Sequence, residues 1–343
     1  MKNYSSVEEA INDFYKNNRI IPDNYLSVEN EAYLQGKEHD SYIGKDIFSS
    51  RINEWLQTFS YEDINIFLNL LGNYTYLTRR EYTHKISVLS EDIYNELQAL
   101  GIPFNDIIFI TIPSPKGIKS GGDEVRSYLN TVNISRGINN KQIICSEELR
   151  TPEIFKNKKA LIFIDDLIGS GKTIKTAINN LLEYFNQNNI NVFQYQLFFT
   201  GIYTSKSACS NIIKYYKKLN ITIKPIHIEL PKKLLKGEVI FNSKEHKHII
   251  SIIKKYEKLI DSYQAKTTYK DFHMGFDRGK LSISFFYNTP NNTLCNFWEY
   301  SDTHIPLFER RSEIRPSINN LKARKCNNEI NAYLQKAKKN ETI

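Results

Sequence analysis

The spacing of apolar residues predicts helices through the first hundred residues. Apolar positions recur there every three to four residues, the period of an α-helix, and one such face contains Ile52, Trp55, Leu56 and Phe59. Ser60 and Asp63 have the spacing of a capping box before a second apolar series, for which Gly72 is the expected end. Residues 1–100 are therefore predicted to form a helical accessory lobe, and they contain no motif with chemistry of its own.

From about residue 105 the apolar pattern changes to runs that have the length of buried strands. These runs are 107–112, 161–164, 193–203, 221–230 and 281–287. Residues with helical spacing follow each of the first three runs. This alternation favours an α/β fold with a doubly wound, mainly parallel sheet, which binds ligands at the carboxyl ends of its strands.

Most of the net charge of +8 belongs to the C-terminal end of the chain. From Arg310 onward, nine basic residues and three acids give the segment a charge of +6. A solvated helix and a surface for nucleic acid or an acidic partner are both compatible with this charge. Residues 301–343 are predicted to form a basic tail.

Apolar run length and cysteine usage set the expected cellular location. No apolar run approaches the 18 residues of a membrane-spanning helix, and the first residues lack an apolar signal region. The scattered cysteines, without a C-x-x-C pair, are typical of reduced thiols: Cys145, Cys209, Cys295 and Cys326. We therefore expect a cytoplasmic protein without a membrane partner.

The stretch 160–174, which reads ALIFIDDLIGSGKTI, contains the most informative motif of the chain. Its apolar run ends in two acids, Asp165 and Asp166. A loop of small and polar residues follows: Gly169, Ser170, Gly171, Lys172 and Thr173. Helical spacing begins at Ile174, so free backbone N–H groups and the helix dipole are expected to bind a phosphate at this loop. The acids are placed where a sugar or a metal would lie beside that phosphate.

Two families of phosphate-binding loop have motifs of this kind. The end of a Walker A motif matches, but that motif requires a glycine five positions before Gly171, where this chain has Asp166. The stretch contains, in order, an apolar strand, an acid pair, a small residue, Ser-Gly-x-Thr and an apolar residue. This order resembles instead the phosphoribosyl-pyrophosphate (PRPP) motif of type I phosphoribosyltransferases. A degenerate nucleoside-triphosphate loop and a glycine-rich turn without a ligand are the alternatives.

The resemblance implies a type I phosphoribosyltransferase fold and a role for each part of the motif. Asp165 and Asp166 would contact the ribose hydroxyls, directly or through Mg²⁺ and water. Gly169, Ser170, Gly171, Lys172 and Thr173 would hold the 5′-phosphate of PRPP or a nucleotide. Many purine enzymes of this family carry an acid at the position of Gly169, so proton transfer by this loop is not expected here. Turnover by pentosyl transfer or by N-glycosidic cleavage stays open.

A second candidate loop, residues 113–123, follows the predicted strand 107–112. It combines lysines with a Ser-Gly-Gly sequence, and ammonium groups with glycine-freed amides suit a pyrophosphate. Its candidate residues are Lys116, Lys119, Ser120 and Gly121. The resembled family has its pyrophosphate loop at this place, one strand–helix unit before the acid pair. A plain lysine-bearing surface loop is the alternative.

The turn-rich segment 288–298 resembles part of a microbial branch of phosphoribosyltransferase-like proteins, PRTase-CE, which is linked to conflict and phage-defence systems. In that branch a loop of this kind closes over the core as a hood, a role that would fall to Asn288, Asn291 and Trp298. A tryptophan that is simply part of the core is the alternative. The predicted organisation is therefore a lobe at 1–100, a core with hood at 101–300 and the basic tail.

The resemblance also implies a biological role and partners. The protein would bind PRPP or a nucleotide with Mg²⁺ and act as an effector of a bacterial anti-phage system. A protein, a reverse transcriptase–RNA pair and a second copy of the chain are the candidate partners. A catalytically silent sensing module and a housekeeping nucleobase salvage enzyme are the alternative functions.

Overall fold

The computed structural model describes residues 1–21, 43–112, 121–133, 140–147, 149, 151–231, 245–260, 274–301, 304–308 and 310. Its helices are α1 (Val7–Asn17), α2 (Lys45–Leu56), α3 (Ile64–Gly72), α4 (Arg79–Ala99), α5 (Gly121–Asn133), α6 (Lys172–Gln187), α7 (Lys206–Lys217) and α8 (His246–Ile260). Its strands are β1 (Thr75–Leu77), β2 (Ile107–Thr111), β3 (Ile143–Cys145), β4 (Ala160–Ile168), β5 (Gln196–Thr204), β6 (Ile223–Pro225) and β7 (Ile283–Phe285). None of the described helices is both long and apolar enough to cross a membrane.

The chain divides into two compact units. Residues 81–231 form the sheet unit, and residues 1–80 with 232–343 form the helix-rich unit. The predicted boundaries at residues 100 and 300 do not coincide with this division. Most of α4 packs within the sheet unit, where the Ser90 hydroxyl donates to the Asn133 side chain of α5. The division into compact units does not test whether domains with boundaries at residues 100 and 300 fold independently, so these boundaries stay a prediction.

The sheet unit contains a five-stranded sheet in which every strand is parallel to its neighbours. The strand order is β3-β2-β4-β5-β6. After β2 the chain forms β3 on one side of β2 and then β4 on the other side of β2. This reversal is the topological switch point, and the crevice between the carboxyl ends of β2 and β4 is the place where open α/β sheets bind ligands. The predicted doubly wound α/β class is confirmed.

One face of the sheet packs against α6 and α7 through a continuous apolar core. Alternate residues of each strand point to this face, as the two-residue period of a strand requires. The core contains Ile108, Ile110, Leu161, Phe163, Leu197 and Phe199 from the strands, with Ile174, Ile178, Leu181, Phe185, Ala208 and Ile212 from the helices. Because the apolar stripes of both helices are buried here, their amino-terminal ends are held at the edge of the sheet where the strands end.

The lengths of the strands differ from the predicted ones. The acid pair was expected after a strand that ends at residue 164, whereas β4 continues to Ile168 because β5 pairs with it up to Ile168 and Thr204. The run 221–230 forms only a three-residue strand, and β5 begins at Gln196 after a 3₁₀ turn at Val192–Gln194. Apolar content alone does not show where a neighbouring strand stops.

The helix-rich unit is built around aromatic side chains. Trp55 stacks on Phe297 with ring centroids 5.2 Å apart, and its Nε1 donates to the Asn296 carbonyl at 2.6 Å. This unit also contains a parallel pair of short strands, β1 and β7. The sequence pattern predicted only helices before residue 100, because three residues are too few to display a strand period.

The predicted capping box at the start of α3 forms different hydrogen bonds. The Ser60 hydroxyl donates to the Asp63 carboxylate at 3.0 Å, and α3 begins at Ile64 without a side-chain cap. The Tyr256 hydroxyl of α8 donates to the same carboxylate at 2.7 Å. A contact with a distant helix therefore replaces the local cap, and Gly72 is the last residue of α3, as expected.

Candidate functional site

The two acids lie in β4 beside the topological switch point. The last paired residues of β2 and β4 are Thr111 and Ile164, so Asp165 follows directly after the end of the neighbouring strand. Asp165 is partly exposed, whereas Asp166 is only 8 % exposed. Their side chains therefore start at the mouth of the crevice but lie in different surroundings.

Negative charge accumulates at this mouth. One oxygen of the Asp165 carboxylate accepts the Asp166 backbone N–H at 3.0 Å. Although residue Asp165 is partly exposed, its carboxyl group is removed from water, and this burial, followed by the charges of Asp166 and Asp123, raises the pKa of Asp165 well above its ordinary value of 3.8. Asp123, in the first turn of α5, was not predicted as a site residue, although it directly follows the Ser-Gly-Gly sequence. A site of this charge favours a cation, or a ligand that brings hydroxyl groups to the carboxylates.

Gly121, the first residue of α5, lies against the Asp166 carboxylate. A Cβ atom at Gly121 would be 2.1 Å from Asp166 Oδ1, far inside van der Waals contact. The next residue, Gly122, is equally close to the main chain directly after β2, because an added Cβ would be 1.9 Å from the Ile112 carbonyl oxygen. The fold thus brings the predicted pyrophosphate-loop residue Gly121 to the predicted ribose-binding acid Asp166. Gly122 is sterically required here because the contact is with the main chain, whereas a side chain at Gly121 would displace the Asp166 carboxylate.

The other candidate residues of the pyrophosphate loop, Lys116, Lys119 and Ser120, lie outside the described residues. Their predicted contact with a pyrophosphate stays a prediction. The chain segment that contains them connects the end of β2 to Gly121.

The predicted phosphate loop forms the amino-terminal end of α6. Gly171 precedes the helix with φ +77°, a left-handed conformation that glycine adopts without strain, and no described side chain caps the helix. The Lys172 N–H donates to Ser170 Oγ at 3.3 Å, and the side chains of Lys172 and Thr173 are exposed. Together with Gly169, these residues surround a helix N-terminus whose dipole favours an anion.

Ser205 fixes the position of this loop, and the sequence motif did not include it. Its hydroxyl donates to the Gly169 carbonyl oxygen at 2.6 Å and accepts the Ala208 N–H at 3.0 Å, and its own N–H donates to the Ile168 carbonyl at 3.0 Å. Ser205 is the N-cap of α7. A serine at the start of the predicted helix signals a cap, but nothing in the sequence signals the contact with Gly169.

The predicted hood residues belong to the helix-rich unit. The Asn288 main chain exchanges two hydrogen bonds with Phe285, at 2.9 and 3.1 Å, and the Asn291 carbonyl accepts the Phe276 N–H at 2.7 Å. Trp298 is 2 % exposed and its Nε1 donates to the Thr293 carbonyl at 2.8 Å. These contacts are typical of a packed turn. Within the helix-rich unit Trp298 is therefore a core residue, as the alternative interpretation of this tryptophan predicted. The role of the segment as a hood stays a prediction.

No set of three or more His, Cys, Asp or Glu side chains in the described ranges is arranged to hold a metal ion. The basic tail after residue 310 lies outside the described residues. Among the nine basic residues and three acids of this segment, only Arg310 belongs to the described residues. Its guanidinium group lies 5.8 Å from the centre of the Trp298 ring and donates to the Thr289 carbonyl at 2.7 Å.

Comparison with known proteins assigns the family. A family model described as PRTase-CE matches residues 52–310, which is more than half of the chain and includes the acid pair, the phosphate loop and Trp298. No curated protein and no solved structure matches the chain significantly. Together with the parallel sheet and the junction of acid pair and glycine loops, this match shows that the chain belongs to the PRTase-CE family of phosphoribosyltransferase-like proteins.

Proposed function

We propose that the sheet unit binds a ribose phosphate, either PRPP or a nucleotide, at the carboxyl ends of β2 and β4. The observation that carries the proposal is the contact between Gly121 and Asp166 at the switch point, one residue from the partly exposed Asp165. This contact brings the predicted acid pair to the end of the predicted pyrophosphate loop, and the predicted phosphate loop follows β4 directly in the chain.

Each part of the site has a proposed role. Asp165 and Asp166 accept hydrogen bonds from the ribose hydroxyls. The N–H groups at the start of α6, with the Ser170 and Thr173 hydroxyls, bind the 5′-phosphate. Lys116 and Lys119 contact the pyrophosphate.

The acid pair also suits Mg²⁺. This ion usually keeps several waters and binds through one or two carboxylates together with phosphate oxygens of a ligand. Asp165 and Asp166 provide such carboxylates. Burial and then repulsion by Asp166 raise the pKa of Asp165, and a divalent cation would offset this repulsion. When bound, Mg²⁺ would offset negative charge on the phosphates of the leaving group.

Turnover would exchange one bond at the anomeric carbon for another: the bond to pyrophosphate for a bond to an acceptor base, or the bond to a base for a bond to the oxygen of water. Positive charge then develops at the ribose, and nearby carboxylates stabilise it. Gly169 contributes no group for proton transfer, so another group would have to take the proton that an acceptor base loses or supply the proton that a leaving base gains. A binding module that senses the ligand without turnover is therefore the second candidate function.

The test is calorimetric titration with PRPP and with a nucleoside monophosphate, with and without Mg²⁺. We expect Asp165→Asn combined with Asp166→Asn to weaken Mg²⁺-dependent binding at least tenfold. A hydrogen bond to a charged group contributes about 1.5–3 kcal/mol, and about 1.4 kcal/mol corresponds to a factor of ten. The control variant Asp46→Asn with Glu62→Gln neutralises two exposed acids of the helix-rich unit and should bind normally.

Two results would contradict the proposal. Unchanged affinity in the acid-pair variant, with the fold intact by circular dichroism, would remove the ribose assignment. ATP hydrolysis that depends on Lys172 and survives Asp166→Ala would favour a nucleoside-triphosphatase instead, because Asp166 occupies the position of the first Walker A glycine.

In the cell, the protein is proposed to act as an effector of a bacterial anti-phage system and to be restrained by a partner, such as a protein or a reverse transcriptase–RNA pair. Membership of the PRTase-CE family supports this role, and the helical residues before the core offer surface for a partner. Expression in a bacterial host should cause growth arrest with loss of nucleotides, and the acid-pair variant should abolish both effects. Rescue of a base-salvage auxotroph without toxicity would establish a housekeeping enzyme instead.

A further inference from the structure

The outer helices of the sheet unit carry almost no acids. Residues 172–224 contain seven lysines and a single acid, Glu183. At the overall frequency of 38 acids in 343 residues, a stretch of this length would contain about six. The abundance of lysine in the whole chain does not account for missing acids, so this imbalance is a property of the surface formed by α6 and α7.

The lysines of α7 share one exposed face. At about 100° per residue, the four lysines of α7 and its C-terminal cap lie within an arc of about 120°. All of them are exposed: Lys206, Lys214, Lys217 and Lys218. The opposite side of the helix is buried in the sheet core through Ala208, Ile212 and Tyr216. Packing of that apolar stripe therefore fixes the direction in which the lysines point.

An exposed tyrosine and a lysine of α6 extend this face. Tyr215 is 40 % exposed, and Lys175 Nζ lies 5.6 Å from the centre of its ring. The Asn179 side chain donates to the Tyr215 hydroxyl at 3.4 Å, and the Tyr216 hydroxyl donates to the Lys175 carbonyl at 2.9 Å. Contacts between α6 and α7 thus join these side chains into one surface. We call this surface the basic face, and it consists of Lys175, Lys206, Lys214, Lys217, Lys218 and Tyr215.

The charge on the basic face is not neutralised within the sheet unit. In the part of the chain that the structure describes, none of its five lysines takes part in an ion pair. Lys214 and Lys218 are four residues apart on a helix, a spacing at which like charges are mildly destabilising. A polyanion on this face would remove that repulsion and release its own counterions.

We propose that the basic face binds single-stranded nucleic acid, with lysines on the phosphates and Tyr215 against a base. The aromatic side chain distinguishes this ligand from an acidic protein surface. Positively charged grooves that carry exposed aromatic rings bind single strands by combining phosphate contacts with base stacking. The proposal does not depend on the ribose-phosphate site, because none of the residues of the basic face is assigned to that site.

The test is fluorescence anisotropy of a labelled single-stranded RNA and a single-stranded DNA of mixed sequence, with the full chain at several salt concentrations. We expect Lys214→Gln with Lys218→Gln to weaken binding about tenfold at low salt. The salt dependence should also fall, since each lost phosphate contact on a single strand reduces the slope of log affinity against log salt by about 0.7. Tyr215→Ala should weaken binding without changing that slope.

The matched control is Lys254→Gln with Lys258→Gln, two exposed lysines with the same spacing on α8 of the helix-rich unit. This variant has the same net charge as the basic-face variant and should bind almost as well as the unchanged protein. Equal losses in the two variants would show that only net charge matters and would overturn the proposal. Binding of poly-glutamate but not of either nucleic acid would overturn it in favour of an acidic protein partner. Calorimetry with PRPP should give the same affinity for the basic-face variant as for the unchanged protein, which separates this test from that of the ribose-phosphate site.

Discussion

At the scale of single residues, the two acids of the motif have different environments although they are neighbours in sequence. Asp165 is partly exposed and is influenced by Asp123 of α5, whereas Asp166 is buried and in contact with Gly121. The motif predicted two acids at the end of a strand. Their different burial depends on tertiary contacts, because Gly121 covers the Asp166 carboxylate.

Gly121→Ala should destabilise the protein by about 1–3 kcal/mol, the usual cost of an overpacked site. The added methyl group would overlap the Asp166 carboxylate, which would have to move. Urea unfolding measures the change in the free energy of unfolding. In an Asp166→Ala background the same glycine substitution should cost clearly less, since the overlapping atoms are gone. Equal costs in the two backgrounds would contradict the contact.

Asp165→Asn should stabilise the ligand-free protein at neutral pH. Because the pKa of Asp165 is raised in the folded state, the unfolded chain ionises first as the pH rises above 3.8, and the folded state loses stability until its own pKa is passed. The variant lacks this loss. Thermal unfolding without Mg²⁺ should therefore show a higher Tm for the variant at pH 8 and a diminishing difference towards pH 4. A variant that is less stable at pH 8 would contradict the raised pKa.

At the scale of elements, the site depends on where strands and helices end. The sequence predicted five of the strands and missed the three-residue strands β1 and β3. It also ended β4 too early, because β5 pairs with β4 past the acids as far as Ile168. The same pairing places Ser205, which follows β5, next to Gly169, which follows β4. The Ser205 side chain, in the connection after β5, thereby holds the predicted phosphate loop in the connection after β4.

Ser205→Ala should lower the free energy of unfolding by about 1 kcal/mol, the typical cost of losing a helix cap. It should also weaken PRPP or nucleotide binding, because the Gly169 carbonyl loses its hydrogen bond and the loop loses its anchor. Ser6→Ala is the matched control, since Ser6 caps α1 through the Glu9 N–H at 3.1 Å but lies in the other unit. Both variants should lose similar stability, and only Ser205→Ala should lose affinity in calorimetry. Normal affinity in Ser205→Ala would show that the loop does not need this anchor.

At the scale of the whole molecule, the chain forms two compact units, and one of them is continuous in sequence. Residues 81–231 contain the complete five-stranded sheet together with α5, α6 and α7. The helix-rich unit is discontinuous, because β1 pairs with β7 more than two hundred residues later. Sequence periodicity distinguished the helical pattern before residue 100 from the strand runs after it, but it could not show that the last predicted strand pairs with Thr75–Leu77.

A fragment of residues 79–231 should fold on its own. It keeps all strands of the large sheet and the apolar core between the sheet, α6 and α7, and a compact unit with its own core is in principle able to fold alone. Circular dichroism should show mixed helix and strand content, and heating should give a single cooperative transition. A fragment without a cooperative transition would show that the sheet unit requires the rest of the chain.

The sequence by itself determined the features that depend on neighbouring residues. The α/β class followed from the period of apolar residues, and the strand–loop–helix junction, where we propose a phosphate site, followed from the acid pair, the small residues and the start of a helix, all within 160–174. The tertiary structure alone decided which distant groups meet. Asp166 contacts Gly121, and Ser205 binds Gly169 from 36 residues away, because the parallel order of the strands gathers their connections at one edge of the sheet. Such contacts depend on the pairing of whole strands, which local spacing does not encode.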